Sequence, residues 1–120
     1  MIRIEGVERL HGVRYRIIPD RIETGTWMIA TAMVGGELML EGARAEHLGA
    51  LIDKLSETNV TIEKRNGSLR VCRPATQPLH AVDVTTLPFP GFPTDLQAQM
   101  MALMAVSRGV SVLTERVYPE

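Results

Sequence analysis

A single cysteine, Cys72, leaves this chain without the means for an internal disulfide framework and fits a reducing compartment. An excess of one charge is equally missing. Thirteen Lys and Arg against 14 Asp and Glu give a net charge of −1, which offers no electrostatic basis for binding nucleic acid or an anionic membrane. No apolar run approaches the roughly 20 residues that a membrane-spanning helix needs. The first residues are charged from Arg3 onward, unlike a secretory leader. His11, His47 and His80 are scattered without partners at metal-ligand spacing, and no Gly-x-Gly-x-x-Gly or Walker-type loop occurs. Neither a metal nor a cofactor is therefore predicted. These absences describe a soluble, cytoplasmic chain of one domain at most, since 120 residues hold a single core. Aromatics are also scarce: two Phe, two Tyr and one Trp stand against seven Met, most of them in two helix-like runs. Adaptable, buried packing is expected there.

The apolar pattern alternates between strand and helix periods. Ile2 and Ile4 alternate with Arg3 and Glu5, and Val13, Tyr15 and Ile17 alternate with Arg14 and Arg16, so both stretches read as strands. Pro19 stops the second. Asp20 to Glu23 has the Asp-x-x-Glu spacing of a capping box and opens a helix over about Ile22 to Met33, closed by Gly35-Gly36. Glu37 to Glu41 reads as a short strand, and residues 45–58 as an amphipathic helix burying Leu48, Leu51, Ile52 and Leu55. Asn66-Gly67 predicts a type I′ hairpin between strands at Val60 to Ile62 and Leu69 to Val71, followed by a loop from Arg73 to Pro78. His80 to Thr86 alternates again. Pro88 to Pro93 then forbids helix until Thr94, whose spacing to Gln97 is that of another capping box, with a helix from Asp95 to Ser107. A last strand covers Val110 to Leu113.

Two halves therefore repeat. Pro19-Asp20 before an evenly apolar helix matches Pro93-Thr94-Asp95 before another, at a period of about 74 residues, a spacing of duplicated supersecondary units rather than of a solenoid. Both helices are apolar nearly all round, and one small sheet cannot cover both. The chain is expected to be a piece of something larger or to form an obligate assembly.

Four stretches carry a resemblance: Ile4 to Leu10, Pro19 to Thr26, Phe92 to Gln99 and Thr114 to Glu120. In order and spacing they resemble the central portion of the UDP-N-acetylglucosamine enolpyruvyl transferases. The resemblance implies an α/β fold, an inverse α/β barrel of βαβαββ units with helices inside and sheets outside, of which about one and a half units stand here (about 20–74 and 80–120). It also implies that residues 1–19 end one domain and that 20–120 begin the next. The implied reaction moves the enolpyruvyl group of phosphoenolpyruvate to the 3-hydroxyl of UDP-N-acetylglucosamine, the first committed step of peptidoglycan synthesis.

By the same resemblance, Asp95 contacts the sugar hydroxyl and accepts its proton, and the backbone of Val117 binds the UDP-sugar. The bland readings are a helix-capping Asp95 and a strand-end Val117, which residue type alone would favour. Asp20 is explained by capping and stays outside the catalytic set. Cys72, in a strand, is not the family's reactive cysteine, and Arg14, Arg16 and Arg21 could help an anion site or merely form a solvated face. The family's phosphate-binding lysine, cysteine loop and later arginines have no counterpart in these residues, so the chain alone is expected to be inactive. Two alternatives remain: a 5-enolpyruvylshikimate-3-phosphate synthase-like transferase of the same architecture, and a non-catalytic module whose two apolar helices are covered by a second copy.

Overall fold

In the computed structural model, which describes residues 1–118, helix α1 (Arg21–Val34) begins where the sequence places its cap. Asp20 Oδ1 accepts from the amides of Ile22 (2.7 Å) and Glu23 (3.3 Å), satisfying two of the donors that a helix start leaves free. The helix ends on Gly35, which takes the left-handed φ of 81° and donates its N–H to Thr31 O. Any β-carbon there would lie 2.7 Å from Ala75 Cα, so glycine serves both the turn and the close approach.

Arg73 closes the same helix end from outside. Its guanidinium donates to the carbonyls of Ala32 (2.6 Å) and Met33 (3.1 Å), and to those of Pro74 and Gln77. The side chain is buried, so a cation is placed where the helix dipole is negative and where orphan carbonyls need donors.

Strands β1 (Gly36–Glu41), β2 (Thr61–Arg65) and β3 (Ser68–Arg73) form an antiparallel sheet in the order β1-β3-β2. The register sets Leu38 and Ile62 on either side of Val71, and Leu40 beside Leu69. Leu69, Val71 and Arg73 alternate inward. The hairpin at Asn66-Gly67 forms, but only Gly67 has positive φ (71°), so the turn is not the doubly left-handed type I′ that the sequence predicts. Helix α2 (Gly49–Glu57), led by a 3₁₀ turn at Ala45–His47, buries Leu51, Ile52 and Leu55, with Leu48 just ahead of it.

The second half is a β-α-β unit: β4 (Val84–Thr85), helix α3 (Gln97–Ala105) and β5 (Leu113–Thr114), with β4 and β5 parallel. Its two strands are shorter than the alternation predicts. The two halves meet through their corner motifs. A β-carbon on Gly25 of α1 would come within 2.5 Å of a methyl of the fully buried Leu96. One turn away, Gln99 Nε2 donates to Thr26 Oγ1 at 3.0 Å.

The expectation of strands near the start of the chain is corrected. Residues 1–18 form no strand, and Tyr15 and Ile17 are about four-fifths exposed (77% and 83%). An alternating pattern becomes a strand only by pairing, and no partner strand lies among the described residues. As expected of two helices that one small sheet cannot cover, the apolar helices are only half enclosed. Met28, Ile29, Ala32, Met100, Leu103 and Met104 are buried, whereas Trp27 (55%), Val34 (73%) and Met101 (53%) face outward. The sheet packs on α1, which in turn packs on α3, and the outward residues of the two helices are covered by nothing among the described residues. Pro119 and Glu120, the end of the last motif stretch, lie outside the described residues.

Candidate active site at the second strand-to-helix corner

Parallel strands leave their carboxyl ends as a natural crevice, because the chain must depart from the sheet there. Beyond the ends of β4 and β5 the two departing segments form a cavity of about 190 Å³, lined by Arg21, Phe89, Thr94, Asp95, Val117 and Tyr118 among others. Its floor is a tight loop in which Leu87 N donates to Phe92 O and Gly91 N to Pro88 O, both at 2.9 Å. Phe92 and Leu96 are buried and anchor that loop on the core.

Thr94 does not cap α3. A 3₁₀ turn, Thr94–Leu96, precedes the helix, and no side chain caps either element. The Thr94 hydroxyl instead donates to Glu115 Oε2 at 2.8 Å. The expected capping box therefore fails: Thr94 lies inside the 3₁₀ turn, with Pro93 at the cap position, and its side chain is oriented toward a carboxylate 21 residues away. Asp95 likewise makes no capping bond, and its exposed carboxylate stands at the cavity wall.

The structure thus brings both sequence-derived residues, Asp95 and Val117, to one cavity. Val117 donates its N–H to Glu115 Oε1 at 2.6 Å. Asp20 caps α1 and lines a neighbouring cavity of about 350 Å³, with Arg21, His47 and Phe89. Arg21 belongs to both cavities and lies over the Phe89 ring, 5.7 Å from its centroid. That arrangement places a cation at the wall of the cavity that Asp95 also lines and fixes it by a cation–π contact. Arg14 and Arg16 lie in the exposed, unpaired segment. Cys72 sits in the central strand β3, opposite Glu37 and Thr61, and does not line this cavity. Among the described residues no group of three His, Cys, Asp or Glu could hold a metal, and no helix is long and apolar enough to cross a membrane.

Glu115 is the residue that sequence reasoning misses. Oε1 accepts from the Thr86 hydroxyl (2.7 Å) and from the amides of Val117 and Tyr118 (2.6 and 3.0 Å). The Thr86 hydroxyl, the Tyr118 amide, Thr94 and the Val117 amide hold this carboxyl at about 2, well below its usual 4.5, while partial burial opposes them. Its only trace in the sequence is a carboxylate two residues before Val117 in a recognisable stretch.

The profile of the EPSP synthase (3-phosphoshikimate 1-carboxyvinyltransferase) family matches residues 1–118. The chain is 53% identical over 117 residues to a UDP-N-acetylglucosamine 1-carboxyvinyltransferase of Rhodopseudomonas palustris (strain BisB18), covering 98% of this chain and 27% of that protein. The corresponding figures are 52%, 98% and 27% for the protein of the same name from Granulibacter bethesdensis. For UDP-N-acetylglucosamine 1-carboxyvinyltransferase 1 of Caldanaerobacter subterraneus they are 50%, 98% and 28%. Among solved structures, the enolpyruvyl transferase NikO from Streptomyces tendae superposes with a TM-score of 0.65 at 25% identity, over 82% of this chain and 23% of that one. The α/β, enolpyruvyl transferase-like fold expected from the sequence is the one observed. The chain spans little more than a quarter of the length of these curated relatives.

Proposed function

Since the chain belongs to the EPSP synthase family, we propose that it supplies one wall of the active site of a cytoplasmic enolpyruvyl transferase acting on UDP-N-acetylglucosamine and phosphoenolpyruvate in peptidoglycan synthesis. The observation that carries the proposal is the Asp95 carboxylate, which makes no capping bond and lines a cavity together with Val117 and Arg21. Asp95 accepts the proton of the sugar 3-hydroxyl as that oxygen bonds to C2 of phosphoenolpyruvate, whose C3 takes up a proton. The tetrahedral adduct then loses phosphate from C2 and returns a proton from C3, which restores the C2–C3 double bond in the new enol ether, and the proton held on Asp95 leaves with the phosphate. The Val117 carbonyl holds the sugar, and Arg21 favours the anionic part of the substrate.

An exposed carboxylate is a weak base until water is excluded, and the described residues do not close the cavity. The remainder of the enzyme would close it. It would also cover Trp27, Val34 and Met101, a role that a second copy of the chain could fill in its place. In this reading, residues 1–19 end the preceding domain and residues 20–120 belong to an incomplete repeat domain. The 120 residues alone release no phosphate.

The 50–53% identity to proteins named for UDP-N-acetylglucosamine favours that acceptor over shikimate 3-phosphate. Phosphate release from phosphoenolpyruvate by the protein as the cell makes it, offered each acceptor in turn, tests this choice. Release with the UDP-sugar alone is expected. Release with shikimate 3-phosphate and none with the UDP-sugar would overturn it.

A further inference from the structure

Four donors converge on Glu115, and they come from both walls of the cavity. Oε1 gathers the Thr86 hydroxyl at the end of β4 and the amides of Val117 and Tyr118 beyond β5, while Oε2 reaches the Thr94 hydroxyl beside Asp95. Thr86 is buried, and its oxygen also accepts from the Arg116 amide at 2.9 Å, so the carboxylate hangs from a fixed point. Charge-assisted bonds of this kind are shorter and stronger than neutral ones, and a carboxylate can serve several donors at once.

We propose that Glu115 is a positioning residue of this site, a clamp whose two oxygens set the distance and orientation between Asp95 and the Val117 carbonyl. The proposal rests on the role given above to Asp95 and Val117. Oε1 also holds the Tyr118 amide, and because the Val117 carbonyl lies trans to that N–H across one peptide plane, the carbonyl is turned away from Glu115. Oε2 holds the Thr94 hydroxyl and so fixes the turn that presents Asp95. Loosening the first arm should weaken sugar binding, whereas loosening the second should misplace the base and slow turnover.

The two arms can be cut separately in the protein as the cell makes it. Glu115→Ala is expected to weaken UDP-N-acetylglucosamine binding at least about tenfold and to raise deuterium uptake in the Arg116–Tyr118 peptide. Glu115→Gln keeps an acceptor for Thr86, Val117 and Tyr118, and should hold affinity within about threefold of the unaltered protein, with unchanged uptake. Thr94→Val, which cuts only the second arm, should lower kcat about tenfold with KM within about threefold, and Thr94→Ser should restore kcat. A folded Glu115→Ala protein with unchanged affinity and uptake would overturn the clamp. So would a Thr94→Val protein with unchanged kcat, and that variant carries the test if the alanine protein does not fold. Should the unaltered protein bind no UDP-N-acetylglucosamine, the functional reading fails on its own. The clamp is then judged by deuterium uptake: an unchanged value over Arg116–Tyr118 in Glu115→Ala, or over Thr94–Leu96 in Thr94→Val where the alanine protein does not fold, overturns it.

Discussion

At the first corner Asp20 turns Oδ1 back onto the amides of Ile22 and Glu23; at the second, Asp95 makes no such bond and its carboxylate lines a cavity. Both corners follow a proline, and both carry the spacing of a capping box. The second corner is tied to a distant part of the chain. Glu115 takes the Thr94 hydroxyl, and the second helix starts through a 3₁₀ turn without any side-chain cap. The first helix is closed at both ends by side chains, Asp20 at one and Arg73 at the other. One copy of the duplicated corner caps its helix, and the other leaves a carboxylate exposed at a cavity.

That contrast can be broken at several points. Removing the cation at the first helix's far end should cost most. Arg73→Ala strands several carbonyls in a buried site and is expected to lower stability by about 2–4 kcal/mol, read from urea unfolding. A loss under 1 kcal/mol would mean that water reaches those carbonyls.

The contact between the corners comes next. Gly25→Ala gains about 1 kcal/mol of helix propensity but forces a methyl against Leu96, at an overpacking cost of about 1–3 kcal/mol. A net loss of about 1 kcal/mol is expected in thermal unfolding, and a rise in Tm would show that Leu96 yields freely. The caps themselves should separate the corners more finely. Asp20→Ala should cost about 1 kcal/mol, whereas Asp95→Ala should change stability by less than about 0.5 kcal/mol. Equal losses would make Asp95 a cap after all.

The smallest effect is in pH. Because folding lowers the Glu115 carboxyl from about 4.5 to about 2, its contribution is complete above pH 4.5 and is lost as pH falls toward 2. Glu115→Gln should therefore flatten the acid limb of the stability curve between those values. An unchanged limb would show that the clamp does not stabilise the fold.

Much of this was legible in the sequence because it is local. Helix α1, its Asp20 cap and its glycine stop, the apolar face of α2 and the hairpin at Gly67 each follow from residues within a few positions of one another. Asp95 and Val117 could be named from their motif stretches, though spacing alone could not show that they share a cavity. What spacing missed is long-range contact. The Thr94–Gln97 spacing promises a cap, yet Thr94 lies inside a 3₁₀ turn with its hydroxyl on Glu115, and Arg73 reads as the start of a loop until its 41-residue reach to Ala32 is seen. The alternation over residues 1–18 promises strands, yet a strand exists only where a partner supplies the other half of its hydrogen bonds.

Turnover of Asp95→Asn beside Asp20→Asn, in the protein as the cell makes it, tests the difference between the corners most directly. Asparagine still caps a helix, so neither change should disturb the fold. Asp95→Asn should lower kcat by about 10²–10⁴-fold, the usual worth of a general base, while Asp20→Asn stays within about threefold of the unaltered protein. Equal turnover in the two variants would contradict the assignment of chemistry to the second corner.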